Sequence, residues 1–206
     1  FALFAGKPVD RMPIKLFSPY IGMNFGASYQ EAFVEAKSRA HWLIKSYKRF
    51  GQDGLSVNYR IDGIPVAFGA ASTYDAFGIP IIKESVLENI GNVDQLDLEK
   101  LRFENDHNAQ VAFDAVRYIQ DELNDEIFTG VGLMGPFTTA ANLAGTEKIL
   151  RAMRKDKENL HKLLDFAADA TIEVGRKFVE NKIGIGLAEP TASLLSPKQF
   201  REFVIP

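Results

Sequence analysis

The segment IFTGVGLMGPFTTAANLAG, residues 127–145, decides the fold. Ile127, Phe128, Val131, Leu133 and Met134 form an apolar run without a charge, which suits a strand buried on both faces of a parallel sheet. Gly135-Pro136 ends it. Proline gives nothing to a strand ladder but fits the first turn of a helix, and Phe137, Thr138, Thr139, Ala140, Ala141 and Leu143 continue as a small-residue helix. The segment is a strand-to-helix corner. In parallel α/β folds such corners stand at the carboxyl ends of strands, where ligands bind.

Working outward, residues 14–17 form a short apolar piece bracketed by Pro13 and Pro19 and read as a first strand. A glycine-rich loop over residues 20–27 leads to Ser28, whose partner Glu31 offers a capping box. Phe33, Ala36, Ala40, Leu43, Ile44, Tyr47 and Phe50 then recur at helical spacing, and Gly51 supplies a left-handed stop. Residues 55–59 alternate as a second strand. Residues 60–78, with three glycines and a proline, read as a loop with a short helix near residues 74–77. Residues 79–83 add an extended piece, and residues 93–101 read as polar connecting turns. Residues 106–123 have the period of a third helix, which delivers the chain into the central strand.

Beyond the corner, residues 146–153 make a short helix, and Asp156 can cap a long one running to Asn181. Residues 182–188 form a fourth strand ending at Glu189-Pro190. Ser196 and Gln199 repeat the capping-box pattern, with Pro197 at the first helical position. Four strand–helix alternations make either a small doubly wound sheet or half of a (β/α)8 barrel. Both ends read as cut. Phe1 opens inside what looks like the last turn of a helix closed by Gly6, and Pro206 falls a few residues into another, which favours the barrel and a longer polypeptide.

A chain of 206 residues, 46% hydrophobic, can bury a core of one domain or part of one. Its net charge of −3 gives no basic footprint, which argues against nucleic acid and anionic membranes as partners. No apolar run is long enough to span a membrane, and the first residues lack a signal-peptide layout, so the cytoplasm is expected. The chain has no cysteine, so neither a disulfide nor a thiolate metal ligand can come from it.

The AGKPVDRMP opening, the GLMGPFTTAANLAG corner and the AEPTASLLSPKQFREFVIP ending together resemble the uroporphyrinogen decarboxylase superfamily. That resemblance implies a TIM (β/α)8 barrel, of which residues 1–206 would be the N-terminal portion. Within the superfamily, the decarboxylases carry an arginine-rich motif of the form RQAGRY after the first strand and an aspartate at the end of the second. Here SPYIGMN stands in the first place and Asn58-Tyr59 in the second, with Asp62 the nearest acid. A substrate with many carboxylates needs bidentate arginines. The sequence is more similar to the corrinoid-dependent methyltransferase branch, in which the strand matching residues 182–188 ends in Asp-Pro. Glu189-Pro190 stands there instead.

The branch implies methyl transfer between a corrinoid, carried by a partner protein, and a small thiol or other acceptor. It also implies a zinc ion held by a His-x-Cys pair and a later cysteine, none of which lies in these residues. Porphyrinogen decarboxylation is the alternative activity, and a non-catalytic or proteolysed half-barrel the third. A homo-oligomer is left open. Glu189, an acid at a strand's carboxyl end, is the candidate catalytic residue. Tyr20, Asn24, Asn58, Tyr59, Asp62, Gly135, Pro136 and Phe137 are the candidate substrate-binding residues. For Tyr59 a hydrogen-bonded core competes with a ligand role, and for Gly135-Pro136 a sharp strand exit does. His41, His107 and His161 fall on helices, where packing or surface roles are expected. Arg11 is read as an ion-pair anchor and Trp42 as a packing residue.

Overall fold

A computed structural model describes residues 3, 5–16, 25–27, 35–75, 79–124 and 126–205. The expected Ser28–Glu31 capping box, and with it the candidates Tyr20 and Asn24, lies outside the described residues.

Among the described residues three parallel strands make the sheet: β1 (Gly54–Asn58), β4 (Phe128–Met134) and β5 (Gly184–Ala188), in the order β1-β4-β5. In register, Asn58 lies opposite Gly132, and Met134 opposite Ala188, so the strands' carboxyl ends meet at one rim. Alternation follows from the pleat: Leu55, Val57, Val131 and Leu133 are buried against helices, while Asn58, Gly132 and Met134 stand on the more open inner face.

The helices are α1 (Ala36–Phe50), α2 (Gly63–Ala67), α3 (His107–Glu122), α4 (Pro136–Ala144), α5 (Thr146–Lys155), α6 (Lys157–Glu180) and α7 (Pro197–Phe203). α1 packs on α3 and β1, and α4 packs on α5 and α6. Ala40, Leu43 and Ile44 face the core as their spacing predicts, but Phe50, expected on that stripe, is 53% exposed. Gly51 stops α1 at φ 61° in the left-handed region. Asp106 caps α3 by accepting from Asn108 and Ala109, and Ser196 with Gln199 completes a capping box on α7. Asp156 precedes α6 without capping it; its carboxylate accepts from the Asn159 amide instead.

Three readings are corrected. Residues 14–16 are not a strand: the Ile14 and Leu16 N–H groups donate to the side chains of Asp53 and Gln52, not to a ladder. Phe17 lies outside the described residues. Between β1 and α3 a helix falls at α2, and Tyr74, where the expected helix would begin, ends a strand; residues 76–77 lie outside the described residues. Pro65 sits in that helix's first turn, where its missing N–H costs nothing. Ala71–Tyr74 is a strand, β2, paired antiparallel with β3 (Pro80–Glu84), whose extended form was expected. Residues 93–101 are not merely polar turns but contain parts of two 3₁₀ helices, Ile90–Gln95 and Leu98–Leu101, that bury Val93 and Leu101. The parallel sheet therefore has three strands among the described residues, not four, and the antiparallel hairpin is an addition between the first two.

Candidate functional site

A cavity of about 500 Å³ opens at the carboxyl ends of β1, β4 and β5. Asn58 and Met134 reach it from the inner face, Thr138 and Asn142 from α4, and Glu189 from the end of β5. Ile61 and Ile79 add apolar walls. Among the described residues no lysine or arginine lines it.

Glu189 stands where the sequence places it, at the end of β5, but its carboxylate is engaged. Oε1 accepts from the Phe137 N–H at 2.9 Å and Oε2 from the Thr138 N–H at 2.8 Å. These are orphan donors of the first turn of α4, which has no side-chain cap of its own because Gly135 occupies the N-cap position. The neighbouring residues continue the seam: Gly135 donates to the Ala188 carbonyl, and the Thr191 N–H donates to Thr138 Oγ1. Gly135 leaves room for this carboxylate: a Cβ there would lie 2.3 Å from Glu189 Oε1 unless the glutamate moved.

Asn58 borders the cavity beside Gly132, where a Cβ would come 2.5 Å from the Asn58 amide oxygen. Its backbone carbonyl accepts from Arg39. Tyr59 also borders the cavity, yet it is 2% exposed and its phenol donates to Asp106 at 2.7 Å. Burial, together with the Asp106 charge, pushes that phenol's pKa well up. Burial likewise raises the Asp106 carboxyl, against the hydrogen bonds that favour its ionised form.

Asp62 is buried and lines a second cavity, of about 400 Å³, between β3 and α4. Arg60 holds it through two bonds, Nε to Oδ1 at 2.9 Å and Nη2 to Oδ2 at 2.7 Å, and also donates to the Tyr74 hydroxyl. The bond to Asp62 raises the Arg60 pKa against the opposing effect of burial. Arg60, two residues past the end of β1, is thus spent on a carboxylate of its own chain.

The corner behaves differently from its expectation as a pocket wall. Phe137 is 1% exposed in the core, and neither it, Gly135 nor Pro136 lines the cavity. Met134, one residue before the corner, and Thr138, three after Gly135, do so instead. His41, His107 and His161 lie on α1, α3 and α6 as read. Arg11 pairs with Asp53, and Trp42 stacks on Phe25. Sequence reading missed Met134, Thr138 and Asn142 as residues lining the cavity, and Arg60 as the partner of Asp62. Thr138 and Asn142 are four apart on one helix, a spacing that could have marked a shared face.

Among the described residues no three His, Asp or Glu side chains converge as a metal site. With no cysteine present either, these residues do not make the donor set that the methyltransferase branch implies for zinc.

The family model for uroporphyrinogen decarboxylase (URO-D) matches residues 1–206. The chain belongs to the uroporphyrinogen decarboxylase family. Among curated proteins, this URO-D chain is 25% identical over 185 residues to a methylated-thiol–coenzyme M methyltransferase of Methanosarcina mazei. The match takes 87% of this chain and 49% of that protein, so the chain spans about half the length of its curated relative. A solved methyltransferase from Methanosarcina mazei superposes with a TM-score of 0.82 at 20% identity, over 98% of this chain and 62% of the other. The shared fold is the TIM barrel, and the three parallel strands with their helices are part of it. Among the described residues no helix is long and apolar enough to cross a membrane.

Proposed function

We infer that this URO-D chain is the N-terminal portion of a methyltransferase that moves a methyl group between a corrinoid and a small thiol or other acceptor. The observation that carries this reading is the lining of the cavity at the strand ends: amides, hydroxyls, a thioether, aliphatic side chains and the single carboxylate of Glu189, with no cation among the described residues. A porphyrinogen presents several carboxylates to its enzyme and calls for arginine forks. Arg60, the nearest guanidinium in sequence, is already held by Asp62. A methyl group on a thioether or thiol asks for little more than an apolar wall with a few placed polar groups, which Met134, Ile61, Ile79, Asn58 and Asn142 provide. The likeness to a relative named for a methylated thiol and coenzyme M agrees with this reading.

In this reading the chain's own residues bind and orient. Met134 and the isoleucines exclude water around the methyl group, and Asn58 and Asn142 hold the polar end. Zinc ligands and contacts to a corrinoid protein would come from residues other than these. The test is the full-length polypeptide incubated with methylcobalamin and a panel of thiols, followed by the change in cobalt absorbance, beside a uroporphyrinogen decarboxylation assay read by chromatography. Thiol-dependent demethylation is expected. Decarboxylation without methyl transfer would return the other branch of the family to first place.

A further inference from the structure

We propose that Glu189 is a positioning residue that clamps the first turn of α4 to the end of β5 and so sets Thr138 in the cavity. Both carboxylate oxygens take a backbone N–H at normal hydrogen-bond length, from Phe137 and Thr138, the two residues after Pro136. A carboxylate shared between two helix-terminal donors is stabilised by charge-assisted bonds and by the positive end of the helix. That suits an anion facing a cavity with no cationic side chain among its described lining residues. The helix offers no substitute: its N-cap is a glycine, and no local side chain caps it.

Two further bonds make the clamp a seam rather than a single cap. Gly135 donates to Ala188 at 2.9 Å, and Thr191 donates to Thr138 Oγ1 at 3.3 Å. The end of β5 and the first turn of α4 are thereby held as one piece, although Glu189 lies 52 and 51 residues from Phe137 and Thr138 in sequence. Thr138 is the member of this seam on α4 that lines the cavity, while Ala188, Glu189 and Thr191 line it from the end of β5. Glu189 thus acts on the cavity through the helix. A carboxylate with each oxygen accepting an N–H is poorly placed to shuttle a proton.

The test uses Glu189→Gln and Glu189→Ala in the full-length polypeptide. Glutamine keeps one acceptor for one N–H and turns an amide NH₂ toward the other. Alanine removes both bonds. Amide exchange at Phe137 and Thr138 is expected to speed up by about fivefold or more in the alanine variant, the scale of losing a helix cap, and by less in the glutamine variant. The KM for the methyl substrate, which rests on the function proposed above, should rise severalfold with alanine and partly recover with glutamine, while the pH dependence of kcat keeps its shape. Unchanged exchange at both amides would overturn the clamp. So would a glutamine variant that keeps wild-type protection yet loses a limb of the pH–rate profile, because Glu189 would then act by its proton. A wild-type chain without methyl transfer would sink the proposed function and leave the exchange measurement to decide the clamp.

Discussion

Single residues at the rim show how a strand end is spent. The Gly135 Cα approaches Glu189 so closely that the alanine Cβ would stand 2.5 Å from the carboxylate carbon. The side chain can swing away, but only by releasing the two N–H groups, so Gly135→Ala and Glu189→Ala should act through one loss. Each is expected to lower stability by about 1 kcal/mol, as a lost cap does. The double variant should cost clearly less than their sum, measured as a cycle of denaturation midpoints. Additive losses would mean that the two residues are independent. Asp106 poses a different question, one of sign. Burial raises its folded pKa above the ordinary 3.8, so the folded protein holds the proton more tightly than the unfolded chain. Stability from this group is greatest below the unfolded value and falls as pH rises through the folded one. Asp106→Asn keeps a good cap for α3 and should lack this decline. Asp53, by contrast, has its pKa lowered by the Ile14 N–H and then by Arg11, so its contribution is lost as pH falls below 3.8. Subtracting the Asn variant's stability–pH curve from wild type isolates the Asp106 window, and a flat difference would refute the assignment.

Elements tell which parts of this fold its residues announce. Gly130 and Gly184 lie opposite each other in β4 and β5, and both are crowded for different reasons. A Cβ on Gly184 would meet the outer end of the Phe128 ring at 2.7 Å, a side chain that is 44% exposed. A Cβ on Gly130 would meet the Gly184 carbonyl at 2.7 Å, which is backbone of the paired strand. Gly130→Ala is therefore expected to cost about 1–3 kcal/mol, the range of overpacking, and Gly184→Ala distinctly less, by urea denaturation. Equal costs would show that the strands can part freely. The strand–corner–helix through Gly135-Pro136, the Ser196 cap and the Gly51 stop were legible, because each rests on chemistry within four residues. The hairpin was not. Ala71–Tyr74 carries little apolar alternation, and its pairing with Pro80–Glu84 is invisible to a local reading. Pro65 reads locally as a breaker, because a proline's meaning depends on its place in the helix. At the site, the chain position of Glu189 was legible, but not its bonds to amides some fifty residues away. Phe137 was misplaced because a corner residue can turn either to the cavity or to the core, and its large ring is buried in the core.

At the scale of the whole molecule, surface that a packed barrel would cover lies open in this chain. β5 has β4 as a neighbour on one side, and among the described residues no strand pairs with its other edge. Leu187 on that strand is 59% exposed, as is Ile172 on α6, while Val179 and Leu194 are 62% and 60% exposed. An unpaired parallel edge is a template for another chain, and large exposed aliphatic side chains favour association. A polypeptide of these 206 residues alone is therefore expected to associate and to bind a hydrophobic dye, read by light scattering on a sizing column and by dye fluorescence. Leu187→Lys should reduce both, because a charge on an edge strand opposes strand addition. The full-length polypeptide should show neither effect if its further residues pack against this edge. The cavity lies at the ends of the same strands, so residues that cover β5 would also stand beside Glu189 and Ala188. A monomeric, dye-silent 206-residue polypeptide would mean that these side chains find cover within the chain itself, and that its cavity is closer to complete than three strands suggest.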